Sequence, residues 1–200
     1  MLHYLYYFKK YIKMIAIGID PSMNSTGICV KQDLKTKYYI VTSHMTKKMV
    51  KFDADQKNIK YLPYEKTQVT GLEYAEKETA KANNVYNICQ QIKATLKKHK
   101  PDIVVMEGVS YGSIGSAALV DLAGLQFAIR MVLIDLKIPF KIVTPMHLKS
   151  VAVGIGSADK AIMVDAWKRL DAKMNYNFEV KVDDLADAFF LARCAEEEGK

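Results

Sequence analysis

Residues 14–30 read MIAIGIDPSMNSTGICV, and this stretch decides the fold. Its apolar run ends at Asp20 and a proline, which indicates a buried strand that runs into a turn. Residues 25–30 and 38–42 continue as strand-like runs with a short polar turn between them. The pattern predicts three consecutive antiparallel strands, with the Asp20 carboxylate at the end of the first.

The rest of the chain alternates between predicted helices and strands. Residues 102–107 (DIVVME) are typical of a strand that is buried on both faces. Apolar spacing and helix-end signals predict the remaining elements, which are a helix at 72–98, a helix at 116–136, a strand at 139–144, and helices at 146–151, 157–170 (capped by Ser157) and 182–198. This order predicts an α/β fold, in which a central five-stranded mixed sheet is flanked by helices on both faces.

The composition is that of one folded domain. The chain has 200 residues, of which 50% are hydrophobic and 26% charged, which excludes a disordered or collagen-like protein. We expect a single domain at 14–198 and an N-terminal extension at 1–13, whose aromatic-then-basic order is not that of a signal peptide. No run reaches the ~18 uncharged apolar residues of a membrane span, so we expect no membrane partner. Three scattered cysteines favour a reducing compartment, the cytoplasm.

The charge balance favours a polyanionic partner. There are 29 Lys and Arg against 22 Asp and Glu, a net charge of +7, and nucleic acid is the common partner of such proteins. Several of the lysines lie in residues 44–71, where the periodic pattern breaks down. We interpret this stretch as a solvated loop. The alternative is a phosphate-contacting flap whose Tyr61 and Tyr64 stack on bases.

Acidic residues stand where ligands commonly bind. Asp20 and Glu107 each close a predicted strand, and ligands of α/β sheets bind at strand ends. Asp183, Asp184 and Asp187 open the last helix, where residues three or four apart share a face. Either Asp183 or Asp184 could therefore point with Asp187 toward one spot. A turn role or a helix-dipole role explains a single acid, but it explains the whole set less well.

Converging carboxylates repel one another unless a cation neutralises them. Oxygen ligands without His or Cys select Mg²⁺, or Mn²⁺ in its place, over zinc. Two such ions about 3.5–4 Å apart can activate a water and stabilise the leaving oxygen of a phosphodiester. A basic protein with an acidic metal site therefore has the profile of a nuclease.

A second segment, VAVGIGSADK at 151–160, is consistent with phosphate binding. Gly154 and Gly156 precede the helix that we predict Ser157 to cap, and free N–H groups at a helix start bind phosphate. Lys160, and Lys149 just upstream, add positive charge. The ordinary interpretation of such a segment is a plain turn.

Four segments, GIDPSMNSTGICV, DIVVMEGV, VAVGIGSADK and DDLADAFFLA, resemble the RuvC-type Holliday junction resolvases in order and approximate spacing, over about residues 14–195. The resemblance implies an RNase H-like fold and a homodimer. Each subunit of that dimer would use four carboxylates and Mg²⁺ to nick one of two symmetric strands of a four-way DNA junction, leaving 5′-phosphate and 3′-hydroxyl ends.

Position by position, the resemblance implies a catalytic and metal-binding role for Asp20, Glu107, Asp184 and Asp187. It selects Asp184 over Asp183 and leaves open whether Asp183 also contributes. Lys149 and Lys160 match lysines that hold or polarise the phosphate in the family.

The chain departs from the family pattern at three places. Ser22 stands where bacterial members usually have glycine, and extra length falls in residues 44–71. Ser110 occupies the position of an aromatic residue that stacks on a base at the crossover, and Tyr111 follows it. We predict that these two residues contact DNA, with Tyr111 as the stacking group. Such changes look more like phage or viral relatives than the bacterial enzyme.

The sequence therefore predicts a metal-dependent, structure-selective DNA endonuclease that resolves four-way junctions in recombination, repair or phage DNA processing. Three alternatives stay open: a non-catalytic junction-binding protein, an RNase H-like nuclease on another branched or hybrid substrate, and an actin-like ATPase, for which the chain is short. The apolar helix at 116–136 is interpreted either as part of a dimer surface or as a core helix.

Overall fold

The computed structural model describes residues 14–55, 58–109, 116–171 and 183–195. Its strands are β1 (Ile15–Asp20), β2 (Ser25–Gln32), β3 (Lys35–Thr42), β4 (Ile59–Pro63), β5 (Ile103–Glu107) and β6 (Phe140–Val143). Its helices are α1 (Lys47–Asp55), α2 (Tyr74–His99), α3 (Ser116–Asp135), α4 (Pro145–Val153), α5 (Lys160–Leu170) and α6 (Asp183–Cys194). The predictions made for residues 1–13, Ser110 and Tyr111 lie outside the described residues.

The strands form one mixed sheet in the order β4-β3-β2-β1-β5-β6. β1, β2 and β3 are antiparallel neighbours, as predicted, whereas β5 and β6 run parallel to β1. Ile19 pairs with Met106, the residue before Glu107. The ends of β1 and β5 therefore lie side by side at one edge of the sheet.

Helices cover both faces of the sheet, which confirms the predicted fold class. Because strand side chains alternate between faces, Ile17 and Ile19 pack with the buried side chains of α2 and α3. Ala16 and Cys29 belong to the other core, which includes Trp167 of α5 and most of α6. Each core excludes water from one face of β1, and this fixes the orientation of the residue at the end of that strand.

The sheet has six strands, not the predicted five, because only part of residues 44–71 is a solvated loop. They contain α1 and β4, and β4 pairs in parallel with β3. Ile59 and Tyr61 are buried while Lys60 between them is exposed, the period-two alternation of an edge strand. Tyr61 and Tyr64 are 3% and 7% exposed, so the alternative of a flap that stacks these rings on bases is also wrong.

The predicted cap of the helix after residue 156 is also wrong. α5 begins at Lys160, and its N-cap is Asp159, whose side chain accepts a hydrogen bond from the Ile162 N–H. Ser157 lies in the connection between α4 and α5 instead. Aspartate and serine are both favoured N-caps, so residue type alone could not choose between them.

α3 is apolar both toward and away from the core. Leu125, Ile129 and Leu133 are fully buried against the sheet, whereas Val120, Phe127, Met131 and Ile134 are 57–68% exposed. By length and composition alone α3 could cross a membrane, a criterion that core helices of soluble proteins also meet. The buried side of α3 agrees with its interpretation as a core helix. The exposed side forms an apolar surface.

Two glycines set the distance between α6 and the sheet. A Cβ on Gly18 would collide with the carbonyl oxygen of Ala188, and one on Gly27 would collide with that of Asp184. Gly27 pairs with Asp20 in the β1–β2 register. Only glycine therefore allows the backbone of α6 to lie directly on β1 and β2, next to Asp20.

We expect Gly27→Ala to destabilise the protein by about 1–3 kcal/mol, because the added methyl must push α6 off the sheet. The same displacement moves Asp184 away from Asp20, so divalent-metal binding should weaken as well. Urea unfolding measures the first effect and metal titration the second.

Gly124→Ala in α3 is the matched control, since its new methyl meets no described atom within 4 Å. It should leave stability unchanged or raise it by up to about 1 kcal/mol, because alanine is the better helix former. Equal stability of the two variants would contradict the close approach of α6.

Candidate active site

Carboxylates from three elements meet at the edge of the sheet. Asp20 ends β1 and Glu107 ends the neighbouring β5. Asp184 and Asp187 lie in the first turns of α6, and the Asp184 backbone lies against Gly27, the register partner of Asp20. All four residues are partly exposed.

The turn that follows Asp20 is fixed by a fully buried threonine. Thr26 Oγ1 donates to the Ser22 carbonyl at 2.8 Å and accepts from the Ser22 N–H at 3.1 Å. The buried Tyr64 also stabilises this turn by donating its hydroxyl to the Met23 carbonyl at 3.0 Å. These bonds hold Ser22, the position that departs from the family glycine, in a defined conformation beside the carboxylates.

The four carboxylates act on one another electrostatically. Burial, followed by the charges of Asp187, Asp184 and Glu107, raises the pKa of Asp20 well above its usual range. Burial and the charge of Asp187 raise the pKa of Glu107 to about 7. The pKa of Asp187 is raised to about 6, again mainly by burial. Ionising the whole set therefore costs free energy, which a bound cation would offset.

Two lysines counter this repulsion. Lys149 in α4 and Lys160 at the start of α5 both oppose the increase in the pKa of Glu107 and of Asp187. Lys160 Nζ also donates to Asp183 Oδ2 at 3.0 Å, and this bond is the main reason that the pKa of Lys160 is raised. The two lysines therefore place positive charge close to the carboxylates and partly offset their repulsion.

The donor set fits a hard divalent cation in its chemistry. Asp20, Glu107, Asp184 and Asp187 offer only carboxylate oxygens, the ligands that Mg²⁺ and Mn²⁺ prefer. Within the described ranges, no three Asp, Glu, His or Cys side chains already lie close enough together to enclose a metal ion. The carboxylates are electrostatically coupled but not closed into a coordination shell, so their side chains would have to converge on a cation.

The glycine segment forms a turn, the ordinary interpretation of its sequence. Gly154 has a φ of 75° and ends α4 by donating its N–H to the Ser150 carbonyl. A Cβ on Gly156 would lie 2.6 Å from the Met146 side chain. The segment is thus a tight α4–α5 connection, and the N–H of Ile162 in the first turn of α5 is already bonded to Asp159. Phosphate binding there stays a prediction, as does that of Ser157.

Sequence reasoning missed two features of the site. One is the close approach at Gly18 and Gly27, for which an isolated glycine in each of two adjacent strands was the available signal. The other is the contact between Asp183 and Lys160, which joins the starts of two helices 23 residues apart. No local pattern carries that information.

Comparison with known proteins agrees with this architecture. The family model described as crossover junction endodeoxyribonuclease RuvC matches residues 66–195. The chain belongs to the RuvC family. The match includes Glu107, Asp184 and Asp187 but begins after β1. Asp20 therefore lies outside the matched residues, and the pairing of β1 with β5 places it near Glu107.

A curated relative, crossover junction endodeoxyribonuclease RuvC of Syntrophomonas wolfei, is 30% identical over 111 residues. The alignment covers 55% of this chain and 62% of that relative, so it spans less than two thirds of the relative's length.

Among solved structures, Thermus thermophilus RuvC in complex with a Holliday junction substrate is similar, with a TM-score of 0.58 and 17% identity over 90% of both chains. Fowlpox virus resolvase in complex with substrate Holliday junction DNA has a TM-score of 0.50 and 14% identity over 92% of this chain and 98% of that one. At these identities the likeness establishes a shared fold. It agrees with the resemblance to RuvC-type resolvases that the sequence predicts.

We expect Asp187→Asn to stabilise the metal-free protein at neutral pH. The pKa of Asp187 is raised from its usual value to about 6, so the folded state holds this proton more tightly than the unfolded state does. Ionisation therefore costs stability as pH rises from about 4 to 6, and the full cost remains above pH 6. After allowance for solvent screening, the variant should gain about 1–2 kcal/mol at pH 7.5 and little at pH 4.

Urea unfolding in EDTA at the two pH values measures this difference. Asp165→Asn, which removes an exposed acid from α5, is the control and should show no such gain. An Asp187→Asn protein that is less stable than the wild type at pH 7.5 would show that the acid is not under repulsion.

Proposed function

We propose that this protein is a metal-dependent endonuclease that resolves four-way (Holliday) DNA junctions in recombination, repair or phage DNA processing. The observation that carries the proposal is the coupling of Asp20, Glu107 and Asp187 at one sheet edge, with Lys149 and Lys160 beside them. Membership of the RuvC family and similarity to two resolvases solved with junction DNA support the substrate.

Asp20, Glu107, Asp184 and Asp187 would hold Mg²⁺, or Mn²⁺ in its place, with two ions per site. When bound, the ions supply an activated water and stabilise the leaving oxygen of the phosphodiester, which gives 5′-phosphate and 3′-hydroxyl ends. The protein's own contribution is to keep four carboxylates at one edge despite their repulsion, and to leave them partly open to the DNA backbone.

Lys149 and Lys160 would bind the phosphate that is cut. Each lysine carries a positive charge within electrostatic reach of Glu107 and Asp187. A phosphate brought to the carboxylates would be repelled without such cations, so the lysines allow the two anionic partners to approach. The chain's net charge of +7 favours the same encounter at longer range.

A homodimer follows from the substrate, because a four-way junction presents two equivalent strands and a two-fold axis relates two equivalent sites. We propose that the exposed side of α3 forms part of the dimer interface. The residues on it are spaced as one helix face: Val120, Phe127, Met131 and Ile134. An apolar surface of this kind on an otherwise charged protein indicates a partner.

We also propose a cytoplasmic location. Cys29, Cys89 and Cys194 are all buried and none forms a disulfide, as expected in a reducing compartment.

We expect Asp20→Asn to bind a synthetic four-way junction as well as the wild type does, because the DNA contacts remain and one repulsive charge is lost. Cleavage should fall at least about 100-fold, the scale lost when one transition-state stabilising group is removed. Gel-shift binding in Ca²⁺ and cleavage in Mg²⁺ separate the two effects, with Asp165→Asn as the control.

Wild-type rates of cutting by Asp20→Asn would contradict the assignment of the site. A wild-type protein that binds the junction but cuts it at no metal concentration would favour the non-catalytic alternative.

We expect Phe127→Lys combined with Met131→Lys to give a folded monomer. These side chains are 62% and 59% exposed, so the charges cost little in the isolated chain but face each other across a two-fold interface. Light scattering at micromolar concentration checks the mass, with Leu34→Lys, at an 85% exposed residue of the β2–β3 turn, as the control. A double variant that stays dimeric would place the interface elsewhere.

A further inference from the structure

Asp183 and Lys160 form an ion pair between the first residues of two helices. Lys160 Nζ lies 3.0 Å from Asp183 Oδ2, and the Asp183 side chain is 9% exposed whereas that of Lys160 is 70% exposed. The buried partner is fixed by α6, while the lysine reaches it from solvent. The contact therefore restricts the conformations of the long, flexible Lys160 side chain.

An acid at position 183 is costly. Its side chain is almost completely buried, and its charge adds to the repulsion on Asp187. A buried carboxylate loses hydration that an ion pair repays only in part. Its place at the start of α6 gives it a favourable dipole, but Asp184 in the same turn already supplies that charge. The ion pair with Lys160 distinguishes Asp183 from Asp184.

The pair brings the Lys160 ammonium to the carboxylate cluster. Lys160 acts electrostatically on Asp20, Glu107 and Asp187, which come from three different elements. A lysine that is mostly exposed otherwise samples many rotamers, and ordering such a chain costs up to about 2 kcal/mol. A contact made before DNA arrives removes part of that cost from the binding step.

We propose that Asp183 is a positioning residue that holds the Lys160 ammonium beside the carboxylate cluster, ready to bind the phosphate to be cut. One of the three N–H donors of the ammonium is used on Asp183. The ammonium has two further N–H donors, the number needed to contact phosphate oxygens as well. This inference rests on the proposed function, and it gives Asp183 a role other than binding metal.

A double-mutant cycle tests the inference. The proteins are the wild type, Asp183→Asn, Lys160→Met and the double variant, compared in single-turnover cleavage of a four-way junction with Mg²⁺. We expect Asp183→Asn to slow cleavage roughly tenfold in the wild type and by less than about twofold in the Lys160→Met background, since coupled residues are not additive. Asp165→Asn, an exposed acid on α5, should have no effect in either background.

A role of Asp183 in metal binding or in the stability of α6 predicts a different result. Asp183→Asn would then slow cleavage by the same factor in both backgrounds, and that result would overturn the proposal. An unchanged rate in Asp183→Asn would overturn it as well. Thermal unfolding of all four proteins identifies any loss of activity that comes from loss of fold.

A second measurement does not depend on cleavage. The Lys160 ammonium signal in a proton–nitrogen NMR spectrum of the DNA-free protein is assigned by its loss in Lys160→Met. We expect it to shift or broaden in Asp183→Asn and to stay unchanged in Asp165→Asn. An ammonium signal whose position and width are the same in Asp183→Asn as in the wild type would overturn the proposal. If the wild type cuts no junction, the proposed function fails, and this spectrum still decides whether Asp183 holds Lys160.

Discussion

The contact of α6 with β1 and β2 is the constraint on which the site depends. Gly18 and Gly27 have no side chains, so the backbone of α6 lies directly on these two strands. Asp20 is the register partner of Gly27, and the Asp184 backbone lies against that glycine. A helix held at an ordinary distance by larger side chains would leave its acids too far from the strand end. The charge cluster is therefore a consequence of close backbone packing.

Close packing of the acids has an electrostatic cost that the fold does not remove. Burial and mutual repulsion raise the pKa values of Asp20, Glu107 and Asp187 together. Lys149 and Lys160 reduce this cost, and the described carboxylates remain short of a closed coordination shell. Because the repulsion among these carboxylates is not fully neutralised, a bound divalent cation would stabilise the site. Stability is thus lowered where function needs charge.

Much of the fold could be predicted from periodicity, and the exceptions have physical causes. The strands around Asp20 and Glu107 and the helix at Tyr74–His99 follow clear apolar patterns. β4 was missed because it has only five residues, with Lys60 and Pro63 at its exposed positions, which masks a two-residue alternation. The sequence suggested acids at strand and helix ends, but it could not choose between Asp183 and Asp184. That choice depends on how α6 is rotated on the sheet and on the position of Lys160.

The most direct test of the central claim is a crystal structure of the protein grown with Mn²⁺, in which an anomalous difference map locates the metal. The account predicts one or two peaks bounded by the carboxylates of Asp20, Glu107, Asp184 and Asp187, with the Asp183 side chain still turned toward Lys160. Peaks at other residues, or four carboxylates that remain apart at saturating Mn²⁺, would contradict it.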